Sequence, residues 1–281
     1  MPIDLRDKVL VVTGASSGIG AATAVAAARE GMDVVLNARR LEKLTQVAEI
    51  VEQAGRSAEI VVGDVVEPGM SARLLDAATA RFGKFDVVFA NAGFGVDSAW
   101  HEMADADLRA IFETNLFAAA DLLRESAVRL VAAQRRGHLL MCSSCLAKFT
   151  IPYHGAYSAT KAAQAHLARA LRYELRHKGV EVSSVHPVTT TTEFFEVAAE
   201  KAGRQGEPTG LDKTPRLFIQ TPDRVAKAVI RCLKRPRSEV WTSLSVRLAA
   251  GAITAFPGLI DLFSWGEAKR RTAGGDGATR P

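Results

Sequence analysis

The regular alternation of short β-branched runs with alanine- and leucine-rich periodic segments most constrains the fold of this chain. Apolar runs predict strands at 8–13, 33–38, 58–63, 85–90, 137–142, 180–186 and 238–243. Helical periodicity falls between them at 19–30, 41–53, 71–82, 106–133 and 157–177. Because strands that alternate with helices form βαβ units, the sequence predicts an α/β fold. We expect a doubly wound parallel sheet, a Rossmann fold of about seven strands with helices on both faces.

The chain of 281 residues shows no linker and no internal repeat, so we expect one domain over 1–265 with its core at 5–245. An apolar extension follows over 244–265, and 266–281 is expected to be a disordered tail. The segment 188–222 is rich in Thr, Gly and Pro, which predicts a mobile excursion from the sheet.

Composition and charge narrow the classes of function. The net charge of +5 comes from local clusters, and aromatic residues make up only 6%, which argues against a nucleic-acid-binding surface. Three thinly spread cysteines and the lack of an apolar leader at the N-terminus favour a reducing, cytoplasmic location. The longest weakly charged stretch, at 248–260, has thirteen residues and a proline, too short for a transmembrane helix of about 20 residues.

The stretch TGASSGIG joins the first predicted strand to the first predicted helix, where ligands of α/β sheets bind. Gly14 permits the turn, Gly18 lets a pyrophosphate approach the backbone, and Gly20 allows close helix packing. The helix N-terminus attracts phosphate, and Ser16 and Ser17 add hydroxyl donors. The spacing G-x-x-x-G-x-G differs from G-x-G-x-x-G, and a turn that binds nothing is the alternative interpretation.

The end of the second strand bears on the choice of cofactor. An NAD site has an acidic residue about 20 residues after the glycine loop, which binds the ribose 2′-hydroxyl. Here Ala38 stands at that position and Arg39 and Arg40 follow. Guanidinium groups bind a phosphate with several donors, so we predict NADP(H), with Arg39 as the principal contact. The alternative is that both arginines are solvated at a helix start.

Further along the chain, Tyr157 and Lys161 form a Y-x-x-x-K pair whose spacing puts both side chains on one helix face. Ser144 precedes Tyr157 by thirteen residues, and Asn115 and the sequence NAG at 91–93 lie upstream. Together with the glycine loop, these five motifs resemble the short-chain dehydrogenase/reductase (SDR) family, single-domain branch. The resemblance covers roughly the predicted core.

The chemistry suits these residue types. Reduction of a ketone needs a hydride at carbon and a proton at oxygen, and a free tyrosine, with a pKa of about 10, exchanges protons poorly near neutrality. The resemblance implies that Tyr157 is the general acid/base and that Lys161 lowers its pKa and binds the nicotinamide ribose. It implies that Ser144 donates to the substrate oxygen and that Asn115 helps to hold a proton-relaying water.

The resemblance also implies a set of cofactor contacts along the chain. They are Gly14, Ser16, Ser17, Gly18, Ile19, Gly20, Arg39, Arg40, Asp64, Val65, Asn91, Ala92, Gly93, Tyr157, Lys161, Pro187, Thr190 and Thr192. Asp64 and Val65 would sit by the adenine, and Thr192 matches the family's carboxamide-binding threonine. The sequence departs from the family where Val188 follows Pro187 in place of glycine. A β-branched residue takes a glycine-only conformation at a cost, which puts the loop shape in doubt.

Apolar residues near the predicted catalytic group suggest a largely apolar substrate. The expected substrate contacts are Ser144, Leu146, Phe149, His154, Tyr157, Phe194 and Phe195. His154 is read equally well as an incidental loop residue, and His186 as structural. The C-x-x-C of Cys142 and Cys145 is interpreted as small apolar packing, and the sequence offers no ligand cluster for a metal.

These features predict an NADP(H)-dependent enzyme that interconverts a ketone or aldehyde and an alcohol. The basic face of Arg169, Arg172 and Arg176 leaves open a 3-oxoacyl-carrier reductase, although a solvated face or an oligomer contact is favoured. A cofactor-binding regulatory protein without turnover is the alternative from another class. The family resemblance implies a homodimer or homotetramer. The extension could cover the pocket, complete a subunit interface or, least favoured, contact a membrane surface through 244–271.

Overall fold

The computed structural model describes residues 1–193, 219–261, 264 and 266. Seven parallel strands form one sheet in the order β3-β2-β1-β4-β5-β6-β7. The strands are β1 (Val9–Thr13), β2 (Asp33–Ala38), β3 (Ala58–Val62), β4 (Val87–Ala90), β5 (Gly137–Cys142), β6 (Val180–His186) and β7 (Glu239–Trp241). The order reverses between β1 and β4, which creates the crevice where ligands of such sheets bind. The predicted doubly wound fold is confirmed.

Helices cover both faces of the sheet, as strands with apolar residues on both faces predict. The described residues form α1 (Gly18–Arg29), α2 (Leu41–Gln53), α3 (Met70–Phe82), α4 (Asp105–Phe112), α5 (Ala118–Ala132), α6 (Gly155–Leu175), α7 (Pro222–Lys234) and α8 (Leu244–Ala255). Successive residues of one strand, such as Val11 and Val12, belong to two separate hydrophobic clusters. One cluster packs α1, α2 and α7 on one face, and the other packs α3, α5 and α6 on the opposite face.

The helical region predicted at 106–133 differs from a regular helix at one place. Between α4 and α5 the backbone forms a π-helical turn, Glu113–Phe117. Such a turn inserts an extra residue, which periodicity does not reveal, and it occurs often at functional sites. Asn115 lies in this turn and is fully buried.

The segment after β6 is only partly described. Thr190 and Gln220 form a parallel bridge, and the Gln220 amide nitrogen donates to the Thr189 carbonyl at 2.9 Å. The described ends of the predicted mobile excursion at 188–222 are therefore held to each other, while its remainder lies outside the described residues.

The apolar extension begins with α8, whose N-terminus is capped by Ser243. The Thr254 hydroxyl donates to the Lys148 carbonyl at 3.1 Å, which ties the helix to the chain that follows β5. Leu244, Leu248 and Phe256 remain exposed. Within the described part of the chain, no helix has the length and apolarity required to cross a membrane. The predicted tail at 266–281 falls outside it, save for position 266.

Candidate active site

A cleft of about 1020 Å³ lies at the carboxyl ends of the strands. It is lined by segments that follow β1, β2, β3, β4, β5 and β6, so chemistry from distant parts of the sequence meets there. The predicted site residues that line it are Gly14, Ser16, Ser17, Gly18, Ile19, Arg39, Arg40, Asp64, Val65, Asn91, Ala92, Gly93, Ser144, Leu146, His154, Tyr157, Lys161, Pro187, Thr190 and Thr192. The cleft is large enough for a dinucleotide together with a small substrate.

The glycine loop has the tight geometry that its sequence predicts. Gly14 adopts a φ of +66°, in the left-handed region that favours glycine. A Cβ on Gly20 would lie 2.3 Å from the Gly14 carbonyl oxygen and 2.6 Å from Asn91 Nδ2, so glycine lets the start of α1 pack closely on the loop and on the end of β4. Ser17 is the N-cap of α1, and the first helical residues, Gly18 and Ile19, line the cleft.

Hydrogen bonds fix this loop against the end of β4. The Thr13 hydroxyl accepts from the amide nitrogens of Asn91 at 3.0 Å and Ala92 at 3.1 Å. The Asn91 side chain donates in return to the Thr13 carbonyl at 3.0 Å. The two sides of the crevice are thus held at a fixed separation, with a bare backbone and a helix N-terminus between them. These features fit the pyrophosphate of a dinucleotide.

Both arginines after β2 line the cleft, but they differ in their contacts. The Arg39 side chain is 75% exposed and lies 3.5 Å from the Asp64 carboxylate. Arg40 reaches over the glycine loop, where its Nη2 donates to Ser16 Oγ at 3.0 Å and Ser17 Oγ at 3.2 Å. The residues present at this end therefore fit a phosphate on the adenosine ribose, and Arg40 is the one bound to the loop.

At the other end of the cleft, Ser144 and Tyr157 share a hydrogen bond. Burial raises the pKa of the Tyr157 phenol above its usual value, and the hydrogen bond with Ser144 lowers it by less. Among the protein's own groups, desolvation outweighs the Ser144 hydrogen bond, so a lowering of the Tyr157 pKa by Lys161 together with the nicotinamide cation stays a prediction.

Lys161 lies 5.5 Å from the centroid of the Tyr157 ring and is buried. Its Nζ donates to the Cys142 carbonyl at 2.7 Å and to Gln164 Oε1 at 3.1 Å. Burial lowers the pKa of Lys161 to about 8, since a charged ammonium loses its hydration there. The ammonium is oriented by the strand end and by its own helix.

Asn115 stands behind the cleft rather than in its lining. Its side-chain oxygen accepts from the Phe94 amide at 3.0 Å, and its nitrogen donates to the Phe94 carbonyl at 2.9 Å. Its main-chain carbonyl accepts from Gln164 Nε2. Gln164 therefore links the π-helical turn to Lys161. Sequence reasoning missed Gln164, although its position three residues after Lys161 puts both on one helix face.

The substrate end agrees only in part with the predicted contacts. Leu146 and His154 line the cleft, and His154 Nδ1 lies 3.1 Å from the Pro152 carbonyl oxygen. Phe149 is not in the lining, because the chain turns through a 3₁₀ segment at Cys145–Ala147 that presents Leu146 instead. Ile151 lines the cleft and was not predicted. Phe194 and Phe195 lie outside the described residues.

Val188 does not disturb the loop after β6. The described non-glycine residues with positive φ are Asp7, Gln134 and Tyr153, so Val188 occupies ordinary backbone space and no glycine is required there. The Thr190 hydroxyl donates to the Val188 carbonyl at 2.8 Å. The departure from the family's Pro-Gly therefore leaves the cleft open.

His186 has the structural role that was expected for it. Its Nδ1 lies 2.9 Å from the Ser144 carbonyl oxygen, its ring stacks on Trp241 at 4.7 Å, and burial lowers its pKa to about 4. Cys142 and Cys145 are free and buried, and burial raises the pKa of Cys145 to about 11. Both thiols are thus protonated packing groups, as the sequence indicates.

The arginines of the predicted basic face of α6 are paired with carboxylates of the neighbouring strands. Arg169 Nη2 lies against Glu239, and Arg172 Nη1 pairs with Glu181 at 2.5 Å. Arg176 lies 3.7 Å from the same Glu181. The sequence favours solvated arginines or an oligomer contact, whereas the structure pairs these arginines with Glu181 and Glu239. Both glutamates lie on strands, so the spacing of residues along α6 does not reveal the pairs.

Comparison with known proteins gives one consistent result. A family model described as short chain dehydrogenase matches residues 8–203. An uncharacterised oxidoreductase of Listeria innocua is 32% identical over 242 residues, which cover 83% of this chain and 92% of that protein. A metagenomic short-chain oxidoreductase in complex with NADP is 32% identical, with a TM-score of 0.69 over 85% of this chain and 98% of that chain. A short chain dehydrogenase from Mycobacterium paratuberculosis bound to NAD is 26% identical, with a TM-score of 0.74 over 85% and 97% of the two chains.

Proposed function

Since this chain belongs to the short-chain dehydrogenase family of oxidoreductases, we propose that it interconverts a ketone or aldehyde and an alcohol with NADP(H). The observation that carries this proposal is one cleft with two distinct ends. Ser144, Tyr157 and Lys161 line one end, and Arg39 and Arg40 line the other. Nicotinamide cofactors accompany the relatives' structures in both forms, NADP in one and NAD in another.

The residues at the catalytic end have separate tasks. A bound nicotinamide supplies or accepts the hydride. Tyr157 gives its phenolic proton to the carbonyl oxygen during reduction and takes it back during oxidation. Ser144 donates a hydrogen bond to the same oxygen, where negative charge develops. Lys161, whose Nζ is held by the Cys142 carbonyl and by Gln164, would bind the nicotinamide ribose, and its positive charge lies beside the Tyr157 ring.

Desolvation of Tyr157 makes a neighbouring positive charge necessary for proton transfer near neutral pH. Because desolvation raises the phenol's pKa, Lys161 has to supply the positive charge that favours the phenolate, and an oxidised nicotinamide, when bound, would add a second positive charge. Their effect is strongest in a site from which water is excluded. Tyr157 is therefore competent as an acid/base in the cofactor complex rather than in the protein by itself.

The phosphate end supports NADP(H). Ala38 provides no carboxylate for a ribose 2′-hydroxyl, and Arg40 already donates to the two serines of the glycine loop. The 3-oxoacyl-carrier alternative loses its support, because Arg169 and Arg172 are paired with strand carboxylates. A homodimer or homotetramer stays a prediction, which light scattering tests.

The experiment is NADPH consumption against a panel of ketones, aldehydes and 3-oxoacyl thioesters, with Tyr157→Phe beside the parent. Loss of the general acid is expected to lower turnover by about 10²–10⁴-fold while NADPH binding persists. Tyr173→Phe is the matched control, because Tyr173 lies on the same helix and is 72% exposed. Equal turnover in Tyr157→Phe would refute the catalytic assignment, and NADPH binding without turnover on any substrate would favour the regulatory alternative.

A further inference from the structure

The phosphate end of the cleft contains a carboxylate that no sequence pattern predicts. Glu193 Oε2 accepts from Arg40 Nη2 at 2.8 Å, and Glu193 Oε1 accepts from Lys43 Nζ. The same Arg40 nitrogen donates to Ser16 and Ser17 of the glycine loop. A carboxylate of the chain is therefore bound both to Lys43 and to Arg40, one of the two arginines that we assign to the 2′-phosphate.

Glu193 arrives at this place from the other side of the cleft. It lies just beyond the loop that follows β6, whereas Arg40 and Lys43 belong to the start of α2. A Cβ on Gly18 would lie 2.8 Å from Thr192 Cγ2, so the residue before Glu193 rests on the glycine loop. The two ion pairs thus join the opposite walls of the cleft across the glycine loop.

The charge of Glu193 is permanent near neutrality. Hydrogen bonds from Arg40 and then from Lys43 lower the pKa of Glu193 to about 2. A phosphate monoester carries about −1.5 to −2 charges at pH 7 and accepts hydrogen bonds from the same cationic donors. Two anions so close together repel each other, so one set of donors serves either the carboxylate or the phosphate.

We propose that Glu193 is an internal competitor for the cofactor's 2′-phosphate and thereby sets the strength of the NADPH preference. This inference rests on the proposed function, because it concerns the same phosphate site. Glu193 leaves Arg40 and Lys43 when a 2′-phosphate takes its place, and it stays paired with them when the cofactor has only a 2′-hydroxyl. The free energy of NADPH binding is therefore reduced by the cost of separating Glu193 from Arg40 and Lys43.

The test measures dissociation constants by titration calorimetry for NADPH, NADH, 2′,5′-ADP and 5′-ADP. The variants are the parent, Glu193→Gln, which removes the charge and keeps the shape, and Glu30→Gln. Glu30 is the matched control, because its carboxylate is ion-paired to Lys234 at 2.7 Å and is 36% exposed, against 34% for Glu193. It does not belong to the cleft lining.

Glu193→Gln is expected to tighten NADPH and 2′,5′-ADP by about three- to tenfold, the size of two partly exposed ion pairs, while NADH and 5′-ADP stay unchanged. Glu30→Gln is expected to leave all four constants unchanged. An unchanged or weakened affinity for 2′,5′-ADP in Glu193→Gln, or an equal gain for 5′-ADP, would overturn the inference. A parent that binds NADH more tightly than NADPH would instead refute the proposed cofactor preference, and the change caused by Glu193→Gln would still be read separately.

Discussion

The two ends of the cleft are built in opposite ways. At the catalytic end, Ser144, Lys161 and Asn115 are buried, and each is held by main-chain or side-chain hydrogen bonds from a strand end or a helix. At the phosphate end, the side chains of Arg39 and Arg40 are 75% and 47% exposed and are held by ion pairs. A buried polar group without its partner is costly, whereas an exposed ion pair exchanges partners at little cost.

This difference separates the residues proposed for the reaction from those proposed for the choice of cofactor. The catalytic end cannot be rearranged without loss of folding free energy, so its geometry is a property of the fold. At the phosphate end, the exposed arginines are paired with carboxylates of the chain, and in the proposed complex a phosphate of the ligand would replace one of these counter-ions. We therefore expect substitutions at the first end to change stability and turnover, and substitutions at the second end to change the relative affinity for two cofactors.

The largest effect is expected for Gln164→Leu at the catalytic end. This change removes the amide that accepts from Lys161 and donates to the Asn115 carbonyl, and both groups are buried. The expected loss is about 2–4 kcal/mol of unfolding free energy, because two buried polar groups lose a partner. Urea denaturation measures it.

The control for this experiment is Gln46→Leu, an exposed glutamine in the middle of α2. It is expected to change the unfolding free energy by no more than about 0.5 kcal/mol. If the two variants lose the same amount of stability, the hydrogen bonds of Gln164 contribute nothing and the catalytic end is not the rigid one.

The next effect concerns pH. Burial lowers the pKa of Lys161 to about 8, below the value of about 10.4 in an unfolded chain. Between these values the unfolded chain binds more protons than the folded one, so this group makes stability rise with pH. Relative to Lys161→Met, the parent is expected to gain about 2 kcal/mol between about pH 7 and about pH 9.5.

Denaturant unfolding of the parent and of Lys161→Met at both pH values gives the two unfolding free energies. Groups that titrate alike in both proteins cancel when one free energy is subtracted from the other. Tyr157 has a raised pKa and loses its proton in the unfolded chain only near pH 10, so it acts in the opposite direction and above this window. A stability difference that is the same at both pH values would mean that Lys161 keeps its charge in the folded protein throughout.

At the phosphate end, Arg39→Ala is expected to weaken NADPH about tenfold, or ~1.4 kcal/mol, without affecting NADH. The reason is the loss of a charge-assisted contact to the 2′-phosphate. Arg124→Ala serves as the control, because its side chain is 70% exposed, is also paired with an aspartate, Asp121, and does not line the cleft. If Arg39→Ala still bound NADPH more tightly than NADH, Arg40 rather than Arg39 would be the principal contact to the 2′-phosphate.

At both ends of the cleft, the sequence predicts the features that depend on local pattern and misses those that depend on irregular backbone. Strands, helices, the glycine loop and the group of Ser144, Tyr157 and Lys161 are predictable, because each depends on local periodicity or on fixed spacing along the chain. The π-helical turn at Asn115 is not, since one inserted residue leaves the apolar pattern almost unchanged. Nor is the pairing of Glu193 with Arg40, which joins residues 153 positions apart through a loop of irregular shape.

The smallest expected effect comes from salt, and it separates the two ends without any substitution. Mobile ions screen exposed charges over about 10 Å at 0.1 M and about 3 Å at 1 M, while buried groups are screened far less. Raising the salt concentration between these limits should lower the ratio of NADPH to NADH affinity by about two- to threefold. NADH reports on the buried contacts common to both cofactors, so it serves as the internal reference in each titration. If both affinities fell equally, the 2′-phosphate would not be read by exposed cations, and the contrast between a rigid catalytic end and an exchangeable phosphate end would be wrong.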